Sequence, residues 1–373
     1  MMSSSSDNDD DPKLPHDVAI EVLKRLPVKS LLRCKCVCRS WRSAIDDPRF
    51  VALHLSHSAL DASRWHLVCL DWCGPVQNRC SLLSHQSLAL PSRSQTEIPF
   101  VTTPPGSYLI VGSCNGLICV TECSRDGYGR AMYLWNPFTR KHKAVRRPGP
   151  DMETGRMVLG FGFDARSIDY KIVRILYFPD DYRRRSGRVK IYSLLTDSWR
   201  SLEGEAPAFR LDNRAVFLNG NLHWFASYRN EGRYRSIVSF DVAGEVFDEM
   251  ALLEEIFPVD SVYLLSYMYM AVLNDSLAVF INGGEAVDHP ELDSVCSVWV
   301  MRDYGVPESW TKLYNFKASG PVGFDGFTWN GELLIKISGG EQVSWNPITG
   351  QFANLPLSTT CNLVTVVESL VSL

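Results

Sequence analysis

Cysteines and histidines are the residues here that could ligate a metal, but their spacing is unfavourable. Cys34, Cys36 and Cys38 alternate along one short stretch. On a helix the Cys36 side chain would point away from the other two, so the three thiolates could not meet at one ion. His54 and His57 lie one turn apart, which permits a metal pair, although packing or solvation is the favoured role. The sequence therefore predicts no metal site and no cofactor.

Motifs for nucleotide and acyl chemistry are also missing. The chain has no P-loop, no G-x-S-x-G elbow and no H-E-x-x-H helix. Residues 239–244, SFDVAG, come near the Asp-box of sialidase propellers but are one residue too long and occur once, which favours an ordinary turn. We therefore expect a protein that is not an enzyme.

A cluster of arginines is the strongest remaining binding signal. It lies within residues 180–190 and consists of Arg183, Arg184, Arg185 and Arg188. Such a loop could bind an acidic peptide, nucleic acid or a nuclear import receptor, and the alternative is a solvated connection between strands.

Composition limits the class of protein. The 373 residues are 45% hydrophobic, enough for one large domain and a small one, and a net charge of −4 makes nucleic-acid or membrane binding unexpected. Residues 1–12 lack a basic region followed by an apolar run, so we expect a disordered tail rather than a secretory signal. Eleven cysteines without an export signal favour free thiols in the cytoplasm and/or nucleus.

Residues 13–50 predict a small helical head. A first helix starts at Leu14-Pro15 and stops at Pro27, a second runs from Leu31 with Ser30 as its N-cap, and a third runs from Val37 to Ile45. Three short helices are too few to fold unaided, so the head needs a partner. A short helix or linker at residues 51–64 joins it to the rest of the chain.

The head resembles an F-box. The matching positions follow the family order and spacing and end in a DPRF tail at residues 47–50. The resemblance implies docking on the Skp-family adaptor of an SCF ubiquitin ligase and, through it, on a cullin. The side chains implied in adaptor binding are Leu14, Pro15, Val22, Leu23, Leu26, Pro27, Leu31, Leu32, Val37, Cys38 and Trp41.

Charge agrees with such docking. Residues 13–50 contain nine Lys or Arg and four Asp or Glu, a net charge of +5, while the remainder of the chain is acidic. A basic head steers an acidic partner toward itself, and the family's adaptor is acidic. Nucleic acid would be attracted by the same positive charge.

Residues 65–373 predict an all-β domain built from repeats. Four segments superpose without gaps, each with an aromatic first residue and a ring at the eighth position, starting at Trp135, Tyr192, Phe240 and Trp345. They predict hairpins in which the two rings pack across the strands. A looser fifth copy runs from Trp299 to Trp310.

A second series of hairpin turns alternates with the first. The turns are expected at Asn115-Gly116, Asp169-Tyr170, Asn219-Gly220, Asn274-Asp275 and Asn330-Gly331. Two hairpins per period make a four-stranded blade, so five blades are visible from about residue 108 to 356. Strands from the two ends of the domain would share a closing blade, which predicts a six-bladed β-propeller; seven blades are the alternative.

This region resembles the F-box-associated, kelch-like domain of plant F-box proteins. The segments that carry the resemblance are SCNGLICV at 113–120, LWNPFTR at 134–140, GFGFD with DYKIVRI at 160–175, VKIYSLLTDSWR at 189–200 and VESLVSL at 367–373. The resemblance implies a non-catalytic receptor whose propeller binds a target protein for ubiquitination. Two alternatives stay open: a propeller enzyme or lectin, and an F-box protein that acts outside a ligase, for instance in a transcriptional complex.

Overall fold

The computed structural model describes most of the head and the strands of the β-domain. The described residues are 15–71, 79–84, 88, 95–100, 107–124, 127–148, 156–177, 187–203, 210–212, 214–227, 234–253, 256, 268–283, 293–320, 322–337, 339–357 and 361–373.

Four helices form the head. They are α1 (His16–Leu23), α2 (Val28–Cys34), α3 (Arg39–Asp46) and α4 (Pro48–Ala59), and a 3-10 turn at Ala62–Arg64 follows. The α4 helix begins where the Asp47 carboxylate accepts the Arg49 N–H, so it crosses the boundary expected at residue 50. The three helices predicted for residues 13–50 are present, and α4 corresponds to the short helix or linker expected at residues 51–64.

The predicted start of the second helix is wrong. The helix α2 begins at Val28 rather than at Leu31 with Ser30 as its cap. The Pro27 carbonyl accepts the Leu31 N–H at 3.0 Å, which starts the helical ladder three residues earlier. Pro27 therefore ends the turn after α1 and occupies the N-cap position of α2.

Twenty-five strands make up the described part of the β-domain. They are β1 (Trp65–Asp71), β2 (Arg79–Ser84), β3 (Gln95–Glu97), β4 (Ser107–Cys114), β5 (Leu117–Ser124), β6 (Gly127–Trp135), β7 (His142–Val145), β8 (Arg156–Asp164), β9 (Asp169–Tyr177), β10 (Arg188–Ser193), β11 (Ser198–Ser201), β12 (Arg210–Leu211), β13 (Val216–Leu218), β14 (Asn221–Ser227), β15 (Tyr234–Asp241), β16 (Val246–Ala251), β17 (Met268–Leu273), β18 (Ser276–Gly283), β19 (Asp293–Met301), β20 (Trp310–Ser319), β21 (Gly323–Phe327), β22 (Leu333–Lys336), β23 (Gln342–Trp345), β24 (Phe352–Asn354) and β25 (Cys361–Val367). A further 3-10 turn, Pro307–Ser309, precedes β20.

These strands form six antiparallel sheets, which are the six predicted blades. Blades one to five are β4–β7, β8–β11, β12–β16, β17–β20 and β21–β24. In the closing blade β25 pairs with β1, followed by β2 and β3, so strands from both ends of the domain close the ring as predicted. This closure removes two free sheet edges that would otherwise invite pairing with other chains.

Each of blades one to five places two of its turns on the same edge of the ring. Successive strands are antiparallel, so the turns after the first and third strands share one edge. We call this edge the turn face; it carries the turns at 115–116 and 136–141 of blade one and their equivalents in the other blades. The head joins β1 there, and residues 368–373 leave β25 there. The head therefore stands on the turn face.

The ring pairs predicted across the outer hairpins are confirmed. Trp135 lies opposite His142, and the equivalent pairs in the other blades are Tyr192–Trp199, Phe240–Phe247 and Trp345–Phe352. The looser fifth copy differs, because a bulge at Val298/Trp299 shifts the register. Trp310 lies opposite Met301, and the Lys312 ammonium stands 4.8 Å from the Trp299 ring centre.

The inner turns follow the predicted positions in all but one blade. Asn115 and Gly116 both have positive φ, 52° and 83°, as a two-residue hairpin turn with its twist requires. The turn predicted at Asp169-Tyr170 is misplaced, because residues 165–168 form it and Asp169 already pairs with Asp164. Asp164 accepts N–H bonds from Arg166 and Ser167, which shapes this longer turn without glycine.

Candidate functional site

The head exposes large apolar side chains to solvent. Val18 and Val22 lie one turn apart on α1, and 46% and 51% of their surfaces are exposed. Val37 and Trp41, exposed at 67% and 37%, flank Cys38, whose sulfur accepts the Trp41 N–H at the start of α3. A small helical unit with this much apolar surface in water is suited to binding another protein.

The eleven predicted adaptor-binding residues fall into distinct environments. Leu23 and Leu31 are buried in the head's own core with Val28, Ile45 and Phe50, so their side chains hold the head together rather than offering surface. Leu26 and Leu32 are half-buried against that core. The exposed members are Pro15, Val22, Pro27, Val37, Cys38 and Trp41, and Leu14 lies outside the described residues.

A groove of about 500 Å³ opens between α1, α3 and the first turns of α4. The residues lining it are Ile20, Ser40, Ser43, Ala44, Asp47, Arg49, Phe50 and Leu53. Apolar groups from α1 and α4 face small polar groups from α3, so the groove can take an apolar side chain while its rim offers hydrogen bonds.

The basic charge of the head remains largely available. Lys24 and Arg25 pair with Glu21, and Lys35 pairs with Asp46. In the part of the head that the structure describes, five further exposed cations form no ion pair: Lys29, Arg33, Arg39, Arg42 and Arg49. These side chains give an acidic partner several points of attraction.

The segment after β25 fastens the head to the ring. Leu370 inserts into the head core, and the Glu368 carboxylate contacts the Arg64 guanidinium at 3.1 Å. Burial alone would raise the pKa of Glu368, but interactions with His66, the Val28 N–H and Arg64 bring it below its ordinary value. Sequence reasoning missed this junction; the one signal was VESLVSL, noted only for its resemblance to the family.

A second buried charge cluster joins blades two and three on the turn face. The Lys171 ammonium lies 2.9 Å from each of three acceptors: Asp164, Glu245 and the Val242 carbonyl. Burial would lower the pKa of Lys171, but its hydrogen bonds to Asp164 and Glu245 raise it. The amine therefore stays protonated with all three N–H groups engaged, which makes it a link between blades and a poor nucleophile.

The two strands that flank the predicted arginine loop are β9 and β10, the second and third of blade two. The end of β9 at Tyr177 and the start of β10 at Arg188 lie at the edge opposite the turn face. Arg188 begins β10 and is exposed, while Arg183, Arg184 and Arg185 lie outside the described residues.

The other sequence candidates for metal or covalent chemistry differ in exposure. His54 is fully buried and contacts the Leu26 carbonyl, and Cys36 and Cys38 are exposed free thiols outside the body of α2. Within the described ranges, no three His, Cys, Asp or Glu side chains are grouped as metal ligands. Nor does any helix among the described residues combine the length and apolar character needed to cross a bilayer.

Comparison with known proteins agrees with this geometry. Residues 12–53 match the F-box domain, and residues 90–336 match the F-box associated beta propeller domain. The chain is 30% identical to the Arabidopsis thaliana F-box protein At3g07870, over 92% of this chain and 87% of that protein. It is 29% identical to F-box protein CPR1 from the same plant, over 81% and 72%. The solved structure of YjhT is similar at a TM-score of 0.42 and 12% identity, covering 77% of this chain and 91% of that one, too distant to inform on function.

Proposed function

Because this chain belongs to the F-box proteins that carry an F-box associated β-propeller domain, we propose that it is a substrate-recognition subunit of an SCF-type ubiquitin ligase. In this role the head docks on a Skp-family adaptor, which links the protein to a cullin. The propeller binds a target protein. The observation that carries the proposal is the exposed apolar and basic surface of a head that matches the F-box.

The adaptor contact is proposed to use the exposed members of the predicted set. Pro27, Val37 and Trp41 offer rigid or large apolar surface, and burial of such groups is what makes an interface tight at its centre. Leu26 supports Pro27 from the head core. Leu23 and Leu31 contribute indirectly, by keeping the helices in register for the partner.

The target is proposed to bind at the edge opposite the turn face. The head occupies part of the turn face, so an adaptor bound there would crowd a target on the same side. Tyr177 and Arg188, which flank the segment with Arg183, Arg184 and Arg185, lie at the edge opposite the turn face, and the charge of the four arginines suits an acidic peptide on the target. Nucleic acid is the less favoured ligand of this loop.

Rate acceleration in this scheme comes from proximity. A receptor that holds a target near the ubiquitin-loaded enzyme raises the effective concentration of the target's lysines, and it needs no nucleophile of its own. We therefore propose a non-catalytic subunit without a cofactor. We place its work in the cytoplasm or nucleus, where the free thiols found at eight described cysteines would remain reduced.

The test is co-purification of the full-length chain with a Skp-family adaptor. We expect the wild-type chain to form a complex and the triple variant Leu26→Ser, Pro27→Ala, Trp41→Ala to lose it. The matched control is Ile348→Ser, because Ile348 is a 90% exposed apolar residue on a turn of blade five and is not part of the head. A triple variant that stays folded by circular dichroism and still binds the adaptor would refute the assignment.

Ubiquitin transfer separates the proposed role from the alternative of an F-box protein outside a ligase. Proximity labelling under proteasome inhibition supplies target candidates, and a reconstituted ligase then tests each of them. Replacing the four loop arginines with serine should abolish transfer to the target and leave adaptor binding intact. Intact adaptor binding without any transfer would favour a role outside a ligase.

A further inference from the structure

The corner between α1 and α2 carries Pro27, a proposed adaptor contact, and Leu26, which supports it from the head core. Pro27 is exposed and has no N–H to donate, and it offers no side-chain cap to α2. The Val28 N–H belongs to the first turn of α2, so it has no acceptor inside the helix. The corner therefore depends on groups from elsewhere to fix its position.

Three side chains from outside the corner bond to its backbone. The Glu368 Oε2 atom accepts the Val28 N–H at 3.1 Å, and the Arg64 guanidinium donates to the Arg25 carbonyl. The His54 Nε2 atom lies 3.0 Å from the Leu26 carbonyl, so this nitrogen carries the proton. The backbone groups before and after Leu26–Pro27 are thus both held.

Glu368 and Arg64 also hold each other. Arg64 Nη1 lies 3.1 Å from Glu368 Oε2, and the Glu368 N–H donates to the Arg64 carbonyl at 2.9 Å. His66 Nε2 stands 3.5 Å from the other carboxylate oxygen. Since Arg64 directly precedes β1 and Glu368 directly follows β25, the pair sits where these two paired strands of the closing blade meet the head.

Blade one supports the same segment from the other side. The Asn136 side chain is fully buried and donates to the carbonyls of Ser369 and Val371, both at 2.9 Å. Leu370, between them, enters the head core beside Phe50. Residues 368–371 therefore contact the ring on one side and the head on the other.

The charged pair does more than bury surface. A buried ion pair repays little of its desolvation cost, so apolar side chains of similar volume would stabilise the junction equally well. Apolar groups could not, however, bond a carbonyl and an N–H that lie three residues apart. The direction of these bonds is what fixes the corner.

We propose that Arg64 and Glu368 are positioning residues of the adaptor-binding surface, holding the Leu26–Pro27 corner in the geometry that the adaptor recognises. Both lie outside the F-box match at residues 12–53, so adaptor affinity depends on the closed ring. This inference rests on the proposed function. Loss of a positioning residue reduces the fraction of molecules that have the binding-competent conformation, so it lowers the association rate. Loss of a contact residue instead raises the dissociation rate.

The experiment measures association and dissociation rates of the full-length chain on an immobilised Skp-family adaptor. Glu368→Ala should lower the association rate about 10-fold, the effect of losing one charge-assisted hydrogen bond, with little change in the dissociation rate. Glu368→Gln keeps an acceptor for the Val28 N–H and should recover most of the loss. Trp41→Ala, a contact variant, should instead speed dissociation.

Glu245→Ala is the matched control. Glu245 and Glu368 have side chains of equal exposure, 15%, and each pairs with a cation of 9% exposure, but Glu245 lies between blades two and three. We expect Glu245→Ala to leave both rates unchanged. Hydrogen exchange supplies a measurement without adaptor: the Val28 amide should exchange faster in Glu368→Ala and at the wild-type rate in Glu245→Ala.

Failure of the inference and failure of the proposed function give different results. Wild-type chain that does not bind the adaptor refutes the proposed function. Normal wild-type binding, with Glu368→Ala at the wild-type association rate or with an unchanged Val28 amide, refutes the positioning role. An equal loss in Glu245→Ala also refutes it, because the effect would then reflect general stability.

Discussion

The Glu245 carboxylate, on a turn of blade three, lies 2.9 Å from the Lys171 ammonium in β9 of blade two. Asp164 lies 2.9 Å from the same ammonium, and Arg200 also contacts Glu245. Burial alone would raise the pKa values of Asp164 and Glu245, but the surrounding hydrogen bonds and cations lower both. Lys171 thus bridges two carboxylates at a blade interface, and Arg200 supplies the second positive charge.

Lys171→Met should therefore destabilise the propeller. Removing the shared cation leaves Asp164 buried without a counter-charge, and breaking such a pair costs about 3 kcal/mol. Urea denaturation measures the change in the free energy of unfolding. Lys143→Met is the comparison, because the Lys143–Asp197 pair is much more exposed and its loss should cost less than about 1 kcal/mol. Equal losses in the two variants would contradict the role assigned to Lys171.

Asn136 and Asn346 occupy the same place in two copies of the same W-N-P turn, which allows a controlled pair of variants. Each accepts two backbone N–H bonds, but only Asn136 is fully buried and donates to the segment after β25. Asn136→Ala should lower the free energy of unfolding by about 3 kcal/mol, because several buried N–H and C=O groups lose their hydrogen-bond partner. Asn346→Ala should lower it by about 1 kcal/mol. Thermal unfolding ranks the two, and the reverse order would be incompatible with this account.

Gly160 marks a close approach between blades two and three. A Cβ atom there would lie 2.7 Å from Trp224 Cζ2 and 2.8 Å from Leu222 Cδ1. Gly160→Ala should lower the free energy of unfolding by about 2 kcal/mol, because the added methyl group overpacks the interface. Gly112→Ala serves as control, because its nearest atom would be Phe161 Cβ at 3.7 Å, an ordinary contact. Chemical denaturation that finds both variants equally stable would disprove the close approach.

Stability should depend on pH through His223. This buried ring lies 2.7 Å from the Tyr304 hydroxyl and 3.1 Å from the Val216 carbonyl, and burial lowers its pKa from 6.5 to about 4. Between about pH 4 and pH 6.5, His223 is protonated in the unfolded chain and neutral in the folded chain. The stabilisation from a neutral His223 is therefore complete above pH 6.5 and declines toward pH 4, by about 1.4 kcal/mol per pH unit.

The measurement for this prediction is the difference in unfolding free energy between wild type and His223→Gln, followed from pH 7 to pH 4. The glutamine does not titrate, so the advantage of the wild type should shrink as the pH falls. A difference that stays constant over this range would show that His223 is not held neutral in the folded protein.

The propeller was predictable because its signals are local. An aromatic residue and a ring seven positions later, as in Tyr192 and Trp199, specify a hairpin on their own, and Asn115-Gly116 specifies the turn of another. Two hairpins per period then give the blades. The turn at residues 165–168 escaped notice because the Asp164 side chain shapes it in place of the expected glycine turn.

The candidate site was predictable only in part. Sequence spacing placed Val22 and Leu23 in one family pattern, but it could not tell that Val22 faces water while Leu23 is buried. Glu368 was invisible as a site residue, because it meets Val28 from 340 positions away. Contacts between residues so far apart in the chain arise from ring closure, which a local sequence pattern does not predict.

The strand that seals the ring has a consequence for synthesis. Ribosomes build chains from the amino end, so residues 361–367 emerge after the head and after every other described strand. A product that terminates within blade five would contain the whole F-box yet lack both β25 and Glu368. Under the proposed positioning role of Glu368, such truncated products would bind the adaptor weakly and leave it to chains whose translation is finished.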